Sequence, residues 1–167
     1  LGRRTAWNKG DWLPVLAPSP IREPAHRGFP KAVEEWDIER IIAETGVAPV
    51  VNQVELHPWL PQAELRAFDA ERGIRTEAWS PLARGRVLGT PLLDDLAAKH
   101  GRSPAQIVLR WHLELGNVVI PKSVSPERIR ENFDLFDFEL SKQEMDMIAG
   151  LDRGERIGPD PATFALA

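Results

Sequence analysis

From Trp36 onward, apolar residues recur with regular spacing, and two periods alternate. Ile38, Ile41 and Ile42 lie on one face at helical spacing, with Gly46 as a stop. Residues 49–56 read as a strand. Pro61 can open the next helix, with Leu65 and Phe68 facing inward and Gly73 at its end. Residues 74–79 form a second strand pattern. Thr90-Pro91 caps a helix that runs to His100 and closes at Gly101. Ser103-Pro104-Ala105-Gln106 fits a capping box with proline at the first helical position, and that helix runs to Leu115 and stops at Gly116. A strand over 117–120 follows, then a helix opening at Ser125-Pro126. A second capping box, Ser141-Lys142-Gln143-Glu144, opens a last helix to Leu151. The order α-β-α-β-α-α-β-α-α predicts an α/β fold with a parallel sheet and right-handed crossovers. A parallel sheet needs both faces and its edges covered, and with three strands the segment 50–54 presents an unpaired edge.

Residues 1–35 differ in character. Pro14, Pro18, Pro20, Pro24 and Pro30 are scattered among arginines with no clear period, which predicts an irregular segment. The domain boundary is set at 35/36, giving an irregular part over 1–35 and a regular part over 36–167. The abruptness of the break suggests a shifted reading frame upstream of Trp36. A first residue that is leucine fits a fragment or a processed product. Translating the upstream DNA in all frames tests the frame shift, and barrel-like sequence in none of them would refute it.

Composition narrows the function classes. Lys plus Arg is 21 and Asp plus Glu is 25, a net charge of −4, so no global basic field favours nucleic acid. There is no cysteine, hence no disulfide framework, thiolate metal site or cysteine nucleophile, which fits a reducing cytoplasm. No apolar run approaches the roughly 20 residues of a membrane span, and the apolar stretch near Trp12 is too short and proline-broken for a signal peptide.

The densest chemistry lies in residues 120–132. Lys122 and Ser123 sit at the carboxyl end of the third strand, and Arg128 lies in the first turn of the following helix. An anion there meets free N–H groups, the helix dipole and two cationic side chains. Lysine supplies a point charge and arginine a planar fork that suits phosphate. Glu131 and Asn132 follow at three and four residues and can read the edge of an attached base. The combination suits a nucleotide carrying an extra phosphate. Taken alone, the same residues also fit an exposed helix start with Ser125 as N-cap.

This motif resembles the adenosine 2′-phosphate site of the aldo-keto reductases, (β/α)8 barrels that use NADPH. Four other stretches carry the resemblance. Val51-Asn52-Gln53-Val54-Glu55-Leu56-His57-Pro58 resembles the sixth barrel strand, and Glu77-Ala78-Trp79-Ser80-Pro81-Leu82-Ala83-Arg84-Gly85 the seventh with its pyrophosphate loop. Gly116-Asn117-Val118-Val119-Ile120-Pro121-Lys122-Ser123 resembles the eighth, and Arg156-Ile157-Gly158-Pro159-Asp160-Pro161 the short tail of bacterial members. Order and spacing agree from about Trp36 to Phe164. The resemblance implies a partial TIM barrel: the last three strands and their helices. A complete barrel needs about 250 residues, more than the 167 here.

The resemblance also implies roles. Gln53 would point to the nicotinamide amide and Trp79 would stack on the nicotinamide ring. Ser80, Leu82 and Arg84 would lie along the pyrophosphate. Lys122, Ser123, Val124, Arg128, Glu131 and Asn132 would hold the adenosine phosphate and base, and the two cations favour NADP(H) over NAD(H). Each role has a plainer alternative: inner-wall polarity for Gln53, core packing for Trp79, an ordinary loop for 80–84.

The family's proton donor is a tyrosine, assisted by lysine, aspartate and histidine from the first half of the barrel. This chain has no tyrosine and nothing matching that half, so no catalytic residue is assigned. His57 does not occupy the family's catalytic-histidine position and reads as structural; His26, His100 and His112 give no metal spacing, and Asp94-Asp95 reads as helix-dipole complementation. The expected function is therefore the cofactor-holding part of an NADPH-dependent carbonyl reductase, inactive alone. The alternatives are an NADP(H)-binding module, a half-barrel that pairs with a separate first-half chain, or a remnant without function. A rival barrel acting on a phosphorylated metabolite would fit residues 120–132 but leaves Gln53, Trp79 and the tail unexplained.

Overall fold

Period-2 and period-3.6 segments alternate along the chain, and the computed structural model resolves them into three strands and six α-helices among the described residues, 33–161. Helix α1 (Val33–Thr45) precedes β1 (Val51–Glu55), α2 (Ala63–Glu71) and β2 (Arg75–Trp79). A 3-10 segment (Ala83–Gly89), α3 (Pro91–His100), α4 (Pro104–Glu114) and β3 (Val118–Val119) follow, and then α5 (Pro126–Phe133) and α6 (Lys142–Ala149). The predicted order is reproduced, with the 3-10 segment as an addition. Most of the expected irregular segment, His26 included, lies outside the described residues; helix α1 opens at Val33, ahead of Trp36.

The strands form one parallel sheet in the order β1-β2-β3. β1 pairs with β2 over its full length, from Val51 opposite Arg75 to Glu55 opposite Trp79. β3 is shorter than the expected 117–120, because it pairs with β2 only through Val118 and Val119. Pro121 has no N–H to extend it, and Asn117 is turned inward instead. Both outer strands face no further strand among the described residues. Val50 and Val51 are accordingly exposed apolar side chains, as expected for an edge over 50–54, and Val118 and Ile120 are exposed on the other edge.

The core lies between the sheet and the helices. Val54, Leu56, Ala78, Leu93, Leu96, Ile107, Val108, Trp111 and Ile148 are buried together. Helix α2 packs on β2, α4 on β3, and α3 on both α4 and α6. Leu65 of α2 is buried and Phe68 half-buried, its ring covered by the Arg72 guanidinium at 3.6 Å. Buried Asp69 ties that helix to two strands, accepting hydrogen bonds from Asn52 Nδ2 (3.2 Å) and Thr76 Oγ1 (2.8 Å). Among the described residues, no helix is long and apolar enough to cross a membrane.

Candidate functional site

Two loops at the carboxyl ends of the parallel strands meet across one groove of about 780 Å³. Open α/β sheets place ligands at this end of the strands. The loop after β2 contributes Ser80, Leu82 and Arg84 to the groove. The segment after β3 contributes Lys122, Ser123 and Val124, and helix α5 contributes Arg128, Glu131 and Asn132. Nine of the eleven expected site residues thus come together, although up to 52 positions separate them in the chain (80 to 132).

The loop after β2 has a fixed and unusual backbone. Ser80 (φ 51°), Ala83 (φ 48°), Arg84 (φ 54°) and Gly85 (φ 85°) are left-handed. Non-glycine residues there cost on the order of 1–2 kcal/mol each, and such residues cluster where a loop must present groups to a ligand. Local bonds hold the turns: Ala83 N donates to Ser80 O (2.8 Å) and Gly85 N to Leu82 O (2.7 Å). A longer tie comes from helix α4. His112 Nε2 lies 3.2 Å from Pro81 O, and Asn117 Nδ2 lies 3.3 Å from His112 Nδ1. A carbonyl accepts and an amide N–H donates, so His112 must be the neutral imidazole with its proton on Nε2. Burial drives its pKa from 6.5 down to about 3, which agrees. His112 therefore links the loop after β2 to the residue just before β3, a structural use of a histidine that the sequence read only as giving no metal spacing.

The second half of the groove is a helix start. Ser125 caps α5, its Oγ accepting from Arg128 N (3.5 Å), and Ser123 Oγ accepts from Ser125 N (3.2 Å). None of the α5 residues is fully buried, so packing does not hold the helix by itself. Gln106 holds it from α4: its Nε2 donates to Glu131 O (3.2 Å) and Asp134 O (2.9 Å) while its Oε1 accepts from Ser103 N (2.9 Å). Arg84, Lys122 and Arg128 make no ion pair among the described residues, and Glu131 is the one acidic side chain lining the groove. The groove is thus lined by three cationic side chains and one acidic one among the described residues.

Gln53 and Trp79 lie outside the residues that line the groove. Gln53 is exposed on β1 and its Nε2 donates to Glu77 Oε1 on the neighbouring strand. Trp79 is half-buried at the end of β2. His57 is fully buried, and its Nε2 lies 3.0 Å from Glu55 Oε1. Among the described residues, no group of three or more His, Asp or Glu side chains is placed to hold a metal ion. The sequence did not single out Gly85, Leu88, Pro104 and Ala105, which also line the groove. The start of α4 was read for its capping box alone, and only the packing of α4 beside α5 brings its first residues to the cleft.

Comparison with known proteins gives a family to this geometry. The Aldo/keto reductase family model matches residues 32–153. An aldo-keto reductase of Mycolicibacterium smegmatis is 60% identical over 131 residues, which are 78% of this chain and 48% of that protein. Methylglyoxal reductase DkgA of Escherichia coli is 57% identical over 129 residues, 76% of this chain and 47% of that protein. Among solved structures, Gox0644 in its apo form superposes with a TM-score of 0.77 at 50% identity, over 79% of this chain and 49% of that one. A Gox0644 mutant in complex with NADPH superposes with a TM-score of 0.75 at 51% identity, over 77% and 48%. The chain spans about half the length of the curated relatives it matches, and its three-stranded sheet is the corresponding part of a (β/α)8 barrel. The chain belongs to the aldo/keto reductase family.

Proposed function

We propose that this chain carries the NADP(H)-holding part of an aldo-keto reductase and lacks the part that delivers the proton. One observation carries the reading: three cations without ion-pair partners among the described residues converge on one groove from two loops at the strand ends. The donor set fits a dinucleotide phosphate. Lys122 and Arg128, with the N–H groups at the start of α5, would hold the adenosine 2′-phosphate. Glu131 and Asn132 would take the adenine edge, with Ser123 and Val124 along the ribose. Ser80, Leu82 and Arg84 would lie along the pyrophosphate, and Trp79 and Gln53 would face the nicotinamide. A relative of known structure is described in complex with NADPH, which supports the same ligand.

When bound, NADPH supplies the hydride for carbonyl reduction. The chain's own contribution is binding and orientation. With no tyrosine in the sequence, no phenol donates the proton to the carbonyl oxygen, and loss of a general acid costs about 10²–10⁴-fold. The chain alone is then a binder and not a reductase, in a cytoplasmic setting where NADPH is at hand. Titrating the chain with NADPH, read through tryptophan fluorescence, tests this. Saturable quenching that Arg128→Ala weakens about 10–100-fold is expected for a lost charge-assisted contact. No saturation in the parent chain would refute the reading.

A second reading rests on the open edges of β1 and β3, where Val50, Val51, Val118 and Ile120 are exposed. Here the chain is a half-barrel that pairs with a first-half chain of the same family, completing the sheet. Mixing it with residues for the first five strands of a relative should restore NADPH-dependent reduction, and no gain in activity would sink this alternative.

A further inference from the structure

The tail after α6 is strapped to the end of β1 through main-chain donors. Trp59 O accepts from Arg153 N (3.0 Å) and Glu155 N (3.2 Å). Further along, the Glu55 side chain accepts from Ile157 N (2.6 Å) on Oε1 and from Gly158 N (3.0 Å) on Oε2. Glu55 is 1% exposed, and among the described residues the other hydrogen-bond partner of its carboxylate is the His57 ring at 3.0 Å. Burial lowers the His57 pKa, and the ring presents Nε2 to the carboxylate, so its N–H donates to Glu55 Oε1. A buried carboxylate that accepts three N–H groups is a strong and directional anchor.

What this anchor holds in place is Gly158. A Cβ placed there would lie 2.4 Å from Trp79 Cη2, 3.2 Å from Trp79 Cζ2 and 2.9 Å from Glu55 Oε2. Gly158 is not in the left-handed region, so glycine serves here for room and not for backbone freedom. Glu55 and Trp79 are register partners across β1 and β2, so one carboxylate fixes the tail directly against the edge of that indole.

We propose that Glu55 and Gly158 are positioning residues for Trp79: the Glu55 anchor presses the Gly158 backbone against the indole edge and so sets the plane that the ring offers to the nicotinamide end of the cofactor. The proposal rests on the cofactor reading given above. Its first test does not need the cofactor. In the ¹⁵N-labelled full chain, the Trp79 indole N–H is assigned by its loss in Trp79→Phe. Gly158→Ala and Glu55→Gln should each move that signal, while the signal of Trp111, buried in the core, stays in place and reports an intact fold. The second test compares NADPH with adenosine 2′,5′-bisphosphate, which lacks the nicotinamide end. Gly158→Ala should weaken NADPH about tenfold and leave the bisphosphate unchanged. An indole signal unmoved in both variants overturns the proposal. So does an NADPH affinity that Gly158→Ala leaves intact in a chain that binds NADPH. A parent chain that binds neither ligand contradicts the cofactor reading instead, and the indole signal alone then decides the positioning role.

Discussion

His112 shows what a single buried side chain decides here. Its ring is wedged between an acceptor, Pro81 O, and a donor, Asn117 Nδ2, and only the neutral form satisfies both. Burial holds its pKa near 3 in the folded chain against 6.5 when unfolded, with the Pro81 bond opposing. The unfolded chain therefore binds a proton that the folded chain refuses as pH falls below 6.5. Stability from this group is complete above pH 6.5 and falls toward pH 3, by at most about 1.4 kcal/mol per pH unit. Glu144 adds to the same trend at lower pH. Burial pushes its carboxyl up, but Lys99, the Ser141 backbone and hydroxyl, and His100 together hold it at about 2, below its usual 4.5. Urea midpoints should drop steadily from pH 7 to pH 4, and a flat profile over that range would show that His112 is not held neutral. That Lys122, Arg128, Glu131 and Asn132 lie near one another was legible in the sequence, since they stand in one short stretch with their helix start. The sequence did not show the partners of His57 or Gln53, because both depend on neighbours across space: Glu55 for the ring and Glu77, in register on β2, for the amide.

At the scale of elements, local signals were the legible ones. Both capping boxes form, Ser103 with Gln106 and Ser141 with Glu144, since each involves only four consecutive residues. The 3-10 segment after β2 was not legible: its left-handed turns are supported by His112, 31 residues away from Pro81. The shortening of β3 was only half legible: Pro121 lacks the N–H to extend it, but Asn117 leaves the strand to meet His112, a contact that only the fold supplies. Gln106 joins two elements, since one amide completes the α4 cap and donates to Glu131 O in α5 and to Asp134 O just after it. Gln106→Ala should cost about 2 kcal/mol of stability, more than the roughly 1 kcal/mol for Ser103→Ala, because it removes three hydrogen bonds made by one buried amide. Denaturant unfolding of the two variants checks the ranking, and equal losses would mean that the Gln106 bonds to Glu131 O and Asp134 O contribute nothing.

Over the whole molecule, the alternation of strands and helices revealed an α/β fold, and four stretches of resemblance revealed which part of a barrel it is. The strap from the tail to β1 stayed hidden, because Glu55 and Gly158 stand 103 residues apart and nothing local marks either as a partner. The same holds for the groove itself, which exists only because β2 and β3 are adjacent and parallel and so open their loops on one side. On the proposed reading, this groove recognises a 2′-phosphorylated adenosine without the rest of a barrel. Calorimetric titration of the full chain with adenosine 2′,5′-bisphosphate, beside 5′-AMP, tests that claim most directly. Saturable binding of the bisphosphate, at least about tenfold tighter than 5′-AMP, is the predicted result for two cations on the extra phosphate. Equal affinities, or no heat from either ligand, would contradict it.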